Sequence, residues 1–276
     1  MIPVLLGALL VGLSLGLLGS GGSILTVPVL RYLLHHAEKV AIAESLGIVC
    51  AIALASAVPY ALQRLLDWRS VLLFGLPGMV GTFCGAWLAR FIPGAVQLLI
   101  FALVMLWAAR MMWRQGSQAL SAAAAAAAAS ASVAPPRRDE VAAPRAAGRI
   151  ALEGVSIGAL TGVVGVGGGF LIVPALVILG GLPMRRAVGT SLAIITLQSG
   201  TGFAKHLSVL QSLNLSVDWR AIGAFIAVGV VGSLIGKVLN AYANQDSLKR
   251  GFAVLLVVMG LFVLAKEGAA LAGAAR

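Results

Sequence analysis

A glycine-broken apolar stretch occurs twice in this chain and constrains the fold more than any other feature. Residues 16–28 read GLLGSGGSILTVP and residues 162–174 read GVVGVGGGFLIVP. The identical pairs are Gly16/Gly162, Gly19/Gly165, Gly21/Gly167, Gly22/Gly168, Leu25/Leu171, Val27/Val173 and Pro28/Pro174. Each stretch lies inside an apolar run, at about 2–34 and 150–182. A helix of about 32 residues would reach about 48 Å, against a hydrocarbon core of about 30 Å. The excess length demands a break, and the glycines stand where it would fall.

The solvent for such runs is lipid. The chain is 60% hydrophobic and 11% charged, with a mean hydropathy of +1.03, more apolar surface than 276 residues can hide from water. Its formal charge of +11 does not point to nucleic acid, because the basic residues fall mostly between apolar runs, where anionic headgroups and the positive-inside rule account for them. Cys50 and Cys84 lie in apolar runs without metal-type neighbours and read as packing residues. The N-terminus lacks a basic region before its apolar run and reads as a retained membrane segment.

About eight hydrophobic segments follow, giving an all-α, polytopic transmembrane chain. After the first run come about 40–62, 70–91 and 94–113; after the second come about 187–204, 219–239 and 249–266. Residues 115–149, with Ala122–Ala129, Pro135, Pro136, Arg137 and Arg138, read as a flexible linker on the cytoplasmic side. The expected organisation is a membrane repeat at 1–114, the linker at 115–149 and a second repeat at 150–276. The register continues in Ser45-Leu46 against Ser191-Leu192. After a five-residue insertion, Asp67-Trp68-Arg69 matches Asp218-Trp219-Arg220, and Gly78, Gly81 and Gly85 match Gly229, Gly232 and Gly236. Internal duplication is the usual architecture of secondary transporters.

Broken backbone is tolerated in a membrane where protein shields it or where it lines a cavity. Gly19-Ser20-Gly21-Gly22-Ser23 and Gly165-Val166-Gly167-Gly168-Gly169 are expected to break their helices near mid-membrane. The second half-helix of each would present free N–H groups to an anion, and the two such termini would lie near a shared axis. Helix packing through small residues is the competing reading. No Lys-Ser or Lys-Thr follows the glycines, so this is not a nucleotide loop. The four-residue spacing of Gly81–Gly85 and Gly232–Gly236 reads as close helix contact.

The paired glycine breaks, each followed by Val-Pro, with Gly189-Thr190-Ser191-Leu192 and its copy Ala43-Glu44-Ser45-Leu46, resemble the sulfite exporter TauE/SafE family of membrane transporters. The resemblance covers both repeats. It implies a multi-pass inner-membrane protein that moves a small anion, sulfite or an organosulfonate, with Ser45, Thr190 and Ser191 near the substrate. Glu44 where the second repeat has Thr190 is a departure from simple anion contacts.

Polar residues in apolar runs are the remaining clues. Glu44 is a candidate for ion coupling, or an acidic residue in a helix's first turn. Lys205 and His206 are candidates for a cavity mouth, or snorkelling residues. Thr190, Ser191, Gln198, Ser199 and Thr201 form a polar stripe that suits an oxyanion or joins helices. His35, His36 and Glu38 read as a solvated loop, not a metal site. Asp-Trp-Arg reads as an interface anchor. No cofactor, metal or enzymatic constellation is expected; the expected partners are a small anionic substrate and the bilayer, and the sequence carries no signal for an oligomeric state. Two topologies stay open. If each long run crosses once, the repeats are parallel, with 12 of the 20 basic residues on the linker side; if each is re-entrant, the repeats are inverted, with 13. The functional expectation is export of a small anion by secondary transport. The alternatives are a non-transporting scaffold or subunit, and a proton-coupled importer.

Overall fold

The computed structural model describes residues 2–19, 22–110, 147–165, 169–176, 181–242 and 245–274. Most of the expected linker, together with Ser20, Gly21, Gly167 and Gly168, lies outside the described residues, and so does the side chain of Ser23. All regular structure among the described residues is helical. The helices are α1 (Ile2–Leu18), α2 (Gly22–Pro28, continuing as a wider π turn over Val29–Leu33), α3 (Glu38–Leu62), α4 (Trp68–Ala89), α5 (Gly94–Arg110), α6 (Ala147–Val164), α7 (Gly169–Pro174), α8 (Met184–Ser212), α9 (Trp219–Tyr242) and α10 (Gln245–Ala274). Of these, α3, α4 and the 219–239 part of α9 are long and apolar enough to cross a membrane by length and composition. The hydroxyls and amides along α8 offset the apolar residues of its 29-residue length.

The two long apolar runs do not continue straight. α1 and α2 fold back on each other: a Cβ on Gly7 would lie 2.8 Å from Val29, and one on Gly22 would lie 2.2 Å from the Val11 carbonyl oxygen. The turn is made by Gly19, whose N–H closes on Leu15 O at 2.8 Å before the chain swings to φ +69°. Gly165 does the same on Thr161 O at 2.7 Å with φ +74°. A left-handed residue costs about 1–2 kcal/mol with any Cβ, which is why glycine stands there.

α3 and α8 form the centre and run antiparallel. Gly189 packs on Tyr60, Gly200 on Cys50, and Gly47 on Phe203, so positions rise along one helix as they fall along the other. Ile48, Ile52, Leu46, Leu192, Ile194 and Ile195 are fully buried on these two helices. The outer helices pack as an exchanged pair. α1 lies along α9, with Gly12 against the Gly229 carbonyl and Gly16 against that of Ser233; α6 lies along α4, with Gly158 against Gly78 and Gly162 against Thr82. In each case the Cβ that glycine lacks would sit 2.0–2.2 Å from a carbonyl oxygen, so the backbones touch. Gly81, Gly85, Gly232 and Gly236 complete the same two seams, against Val155, Ala159, Leu9 and Leu13. Outward, Leu10, Leu72, Val80, Trp87, Val238 and Val258 are exposed, as a lipid-facing surface requires.

Candidate functional site

The helical frame carries cross-contacts that come in matched pairs. Ser45 on α3 donates its hydroxyl to Gly165 O at 2.6 Å, and Ser191 on α8 donates to Gly19 O at 3.2 Å. Each also reaches the carbonyl three residues back, Ile42 O and Val188 O at 2.8 Å. Those same turns lie against the glycines: a Cβ on Gly165 would meet Ile42 Cγ2 at 2.0 Å, and one on Gly19 would meet Val188 Cγ1 at 2.7 Å. Each glycine turn is therefore pinned to the long helix of the other half, and each serine's single proton is shared between the glycine carbonyl and the carbonyl of its own helix.

The turns do not converge. Gly165 sits level with Ile42 near the start of α3. Gly19 sits level with Val188, whose neighbour Gly189 packs on Tyr60 near the far end of α3. Some 18 residues of helix separate the two levels, about 27 Å. The expectation that both breaks fall near the middle of the membrane is corrected accordingly: they sit towards opposite ends. The cause is the antiparallel pairing of α3 with α8, which sends equivalent residues to opposite ends.

A second matched pair joins the loops. The Asp67 N–H donates to Thr190 Oγ1 at 3.0 Å, and the Asp218 N–H donates to Glu44 Oε1 at 2.7 Å. The aspartates in turn start their helices. Asp67 accepts from the Ser70 N–H, and Asp218 accepts from the Arg220 and Ala221 N–H groups at 2.9 and 3.2 Å. Those bonds, Ala221 first, hold the Asp218 carboxyl below its ordinary range. The Asp-Trp-Arg motif is thus a helix cap. The signal was an acidic residue directly before an apolar helix, while Trp68 and Trp219 stay 62% exposed.

Glu44 breaks the symmetry. It is the seventh residue of α3 and fully buried; the first turn is taken by Glu38. Its Oε2 lies 2.6 Å from His36 Nδ1, so the loop histidine read as solvated is in contact with it. Glu38 pairs with Arg31, which also approaches Glu267 at 4.0 Å. The sequence reading missed Glu267, just past the last apolar run; it is buried and accepts from Tyr32 Oη at 2.9 Å. Lys205 rests over the Phe83 ring at 4.7 Å, and His206 is buried with Nε2 2.9 Å from Gly162 O. The acid–base contacts thus gather at one end of the molecule, Glu44 with His36 and Glu38 with Arg31, whereas at the other end Asp67 meets the uncharged Thr190.

The family description "Sulfite exporter TauE/SafE" matches residues 4–263. A probable membrane transporter protein of Xylella fastidiosa (strain 9a5c) is 31% identical over 269 residues, covering 95% of this chain and 94% of the relative. Probable membrane transporter proteins of Bacillus subtilis (strain 168) and Methanocaldococcus jannaschii are each 26% identical, over 94% and 96% of this chain and 95% and 96% of their own lengths. No solved structure matches the chain.

Proposed function

Because the chain belongs to the sulfite exporter TauE/SafE family, we propose that it is a multi-pass secondary transporter of the inner (plasma) membrane that exports a small anion, sulfite or an organosulfonate, without enzymatic chemistry. The observation that carries this reading is the exchange of the glycine hairpins. Each hairpin of one half is held on the long helix of the other half, at opposite ends of the molecule. Releasing one hairpin while the other stays pinned opens one end at a time, which is what two inverted repeats around a central path provide. The glycine stretches that begin at Gly19 and Gly165 then line the two ends of that path, with Ser191 and Ser45 holding their turns, Thr190 tied to Asp67 beside the first, and Lys205 and His206 near the second.

The test is flux. The purified chain in proteoliposomes should move radiolabelled sulfite outward under an inside-negative potential, and Ser191→Ala should change the rate without preventing insertion. A chain that moves neither sulfite nor any small organosulfonate would return the molecule to the scaffold reading. A second reading, proton-coupled import, is favoured by the Glu44–His36 pair, an ionisable contact at one end that Thr190 does not reproduce at the other.

A further inference from the structure

The polar stripe of α8 divides once its partners are known. Thr190 accepts from Asp67, Ser191 holds the Gly19 turn, and the Thr196 and Thr201 hydroxyls bond back to Leu192 O and Leu197 O. Gln198 is fully buried and neither its Oε1 nor its Nε2 has a hydrogen-bond partner in the protein; among the described residues no other amide side chain has both ends so placed. Which end is oxygen and which nitrogen does not matter to this, since both are unpaired. Ser199, about 100° further round the helix, adds an unpartnered buried hydroxyl at the same depth.

The position is specific. Gln198 stands half-way along α8, ten residues from Val188 at the Gly19 turn. It lies about the same distance along the helix from the level of the Gly165 turn. Across from it α4 has Gly78, where a Cβ would fall 2.0 Å from the Gln198 amide; Thr82, one turn on, faces Gly202. The missing side chain at Gly78 is what leaves the amide room. An amide buried without partners costs several kcal/mol in an apolar medium, and a transported ligand that pairs with it removes that cost only while bound.

We propose that Gln198 is the substrate-recognising residue at the middle of the path, and that it selects a small oxyanion that still carries a proton. The amide presents two N–H donors and one acceptor. A fully deprotonated oxyanion pairs with the donors alone and leaves Oε1 unpaired; an ion with both an acceptor oxygen and an O–H satisfies both ends. Gly78, Thr82 and Gly202 supply no charge there, so an ion of lower charge is also cheaper to bury. This inference rests on the transport reading and names its substrate class.

Two variants test it in the full-length chain in proteoliposomes, with sulfite, which takes up a proton as pH falls, and methanesulfonate, which does not. Gln198→Leu should raise the half-saturating sulfite concentration at least tenfold and abolish the preference for sulfite over methanesulfonate. Gly78→Ala should do the same through a shifted amide, because its Cβ meets only the far end of a flexible side chain at under 3.0 Å and the fold is spared. The double variant should be no worse than Gln198→Leu. Wild-type transport with unchanged half-saturation and preference in both variants, each as thermostable as the parent, would overturn the inference and leave transport standing. A wild type that moves neither probe would overturn both.

Discussion

At single positions, the strongest constraint is the pair of left-handed glycines. Gly165→Ala would face the cost of a left-handed Cβ, about 1–2 kcal/mol, and overpacking against Ile42, about 1–3 kcal/mol. Gly19→Ala faces the same backbone cost with a looser contact, 2.7 Å to Val188 against 2.0 Å to Ile42. Thermal unfolding in detergent should therefore rank wild type above Gly19→Ala above Gly165→Ala; equal midpoints for all three would mean the turns are not closed as described. Serine matters at the same scale: with the hydroxyls of Ser45 and Ser191 engaged by the turn carbonyls, their alanine variants should loosen a hairpin rather than remove an anion contact.

The elements show which structural signals the sequence carried. The matched stretches at 16–28 and 162–174, the second pairing of Ser45 with Ser191 and the glycine seams at Gly81–Gly85 and Gly232–Gly236 were readable, because packing needs residue types at set spacings and those are written in the chain. The hairpin was not: an apolar run of that length with glycines inside is compatible with a helix crossing once and with one turning back. For the first run the contacts of Gly7 with Val29 and of Gly22 with Val11 decide it. The unpaired amide of Gln198 was equally hidden, since a stripe of hydroxyls and amides gives no sign of which members find partners. The Asp-Trp-Arg cap makes a prediction here. The folded value of Asp218 is depressed, so its contribution to stability is complete above the ordinary aspartate value of about 3.9 and is lost as pH falls through the lower folded value. Asp218→Asn should reduce the loss of stability on acidification below that range, read by thermal unfolding at stepped pH. An unchanged acid limb would remove the cap from the account.

For the molecule as a whole, antiparallel α3 and α8 imply inverted halves, and the basic residues then give an orientation. Arg64, Arg69, Arg110, Arg149, Arg185, Arg186 and Lys237 share the end at which α5 finishes and α6 begins, while Arg31, Lys39, Arg90, Lys205 and Arg220 share the other. By the positive-inside rule we predict the first end to be cytoplasmic and the Glu44–His36 end to be outside. On a background with Cys50 and Cys84 replaced, an impermeant thiol reagent applied to intact cells should label His35→Cys and Asn214→Cys but not Arg64→Cys. That orientation makes the energetics testable. An exported anion gains about 2.3 kcal/mol per charge per 100 mV, enough for a roughly 40-fold gradient at about 1.4 kcal/mol per tenfold, so export runs without a proton. Import works against the same potential and needs a co-transported cation, and a buried carboxylate at the outward end is where a proton would board. Glu44→Gln keeps an oxygen for the Asp218 N–H but loses the ionisable contact with His36. If the protein exports, outward flux under an imposed potential should change little in Glu44→Gln. Uptake that follows a pH gradient in the wild type and ignores it in Glu44→Gln would instead establish the carboxylate as the coupling group and reverse the direction proposed for the chain.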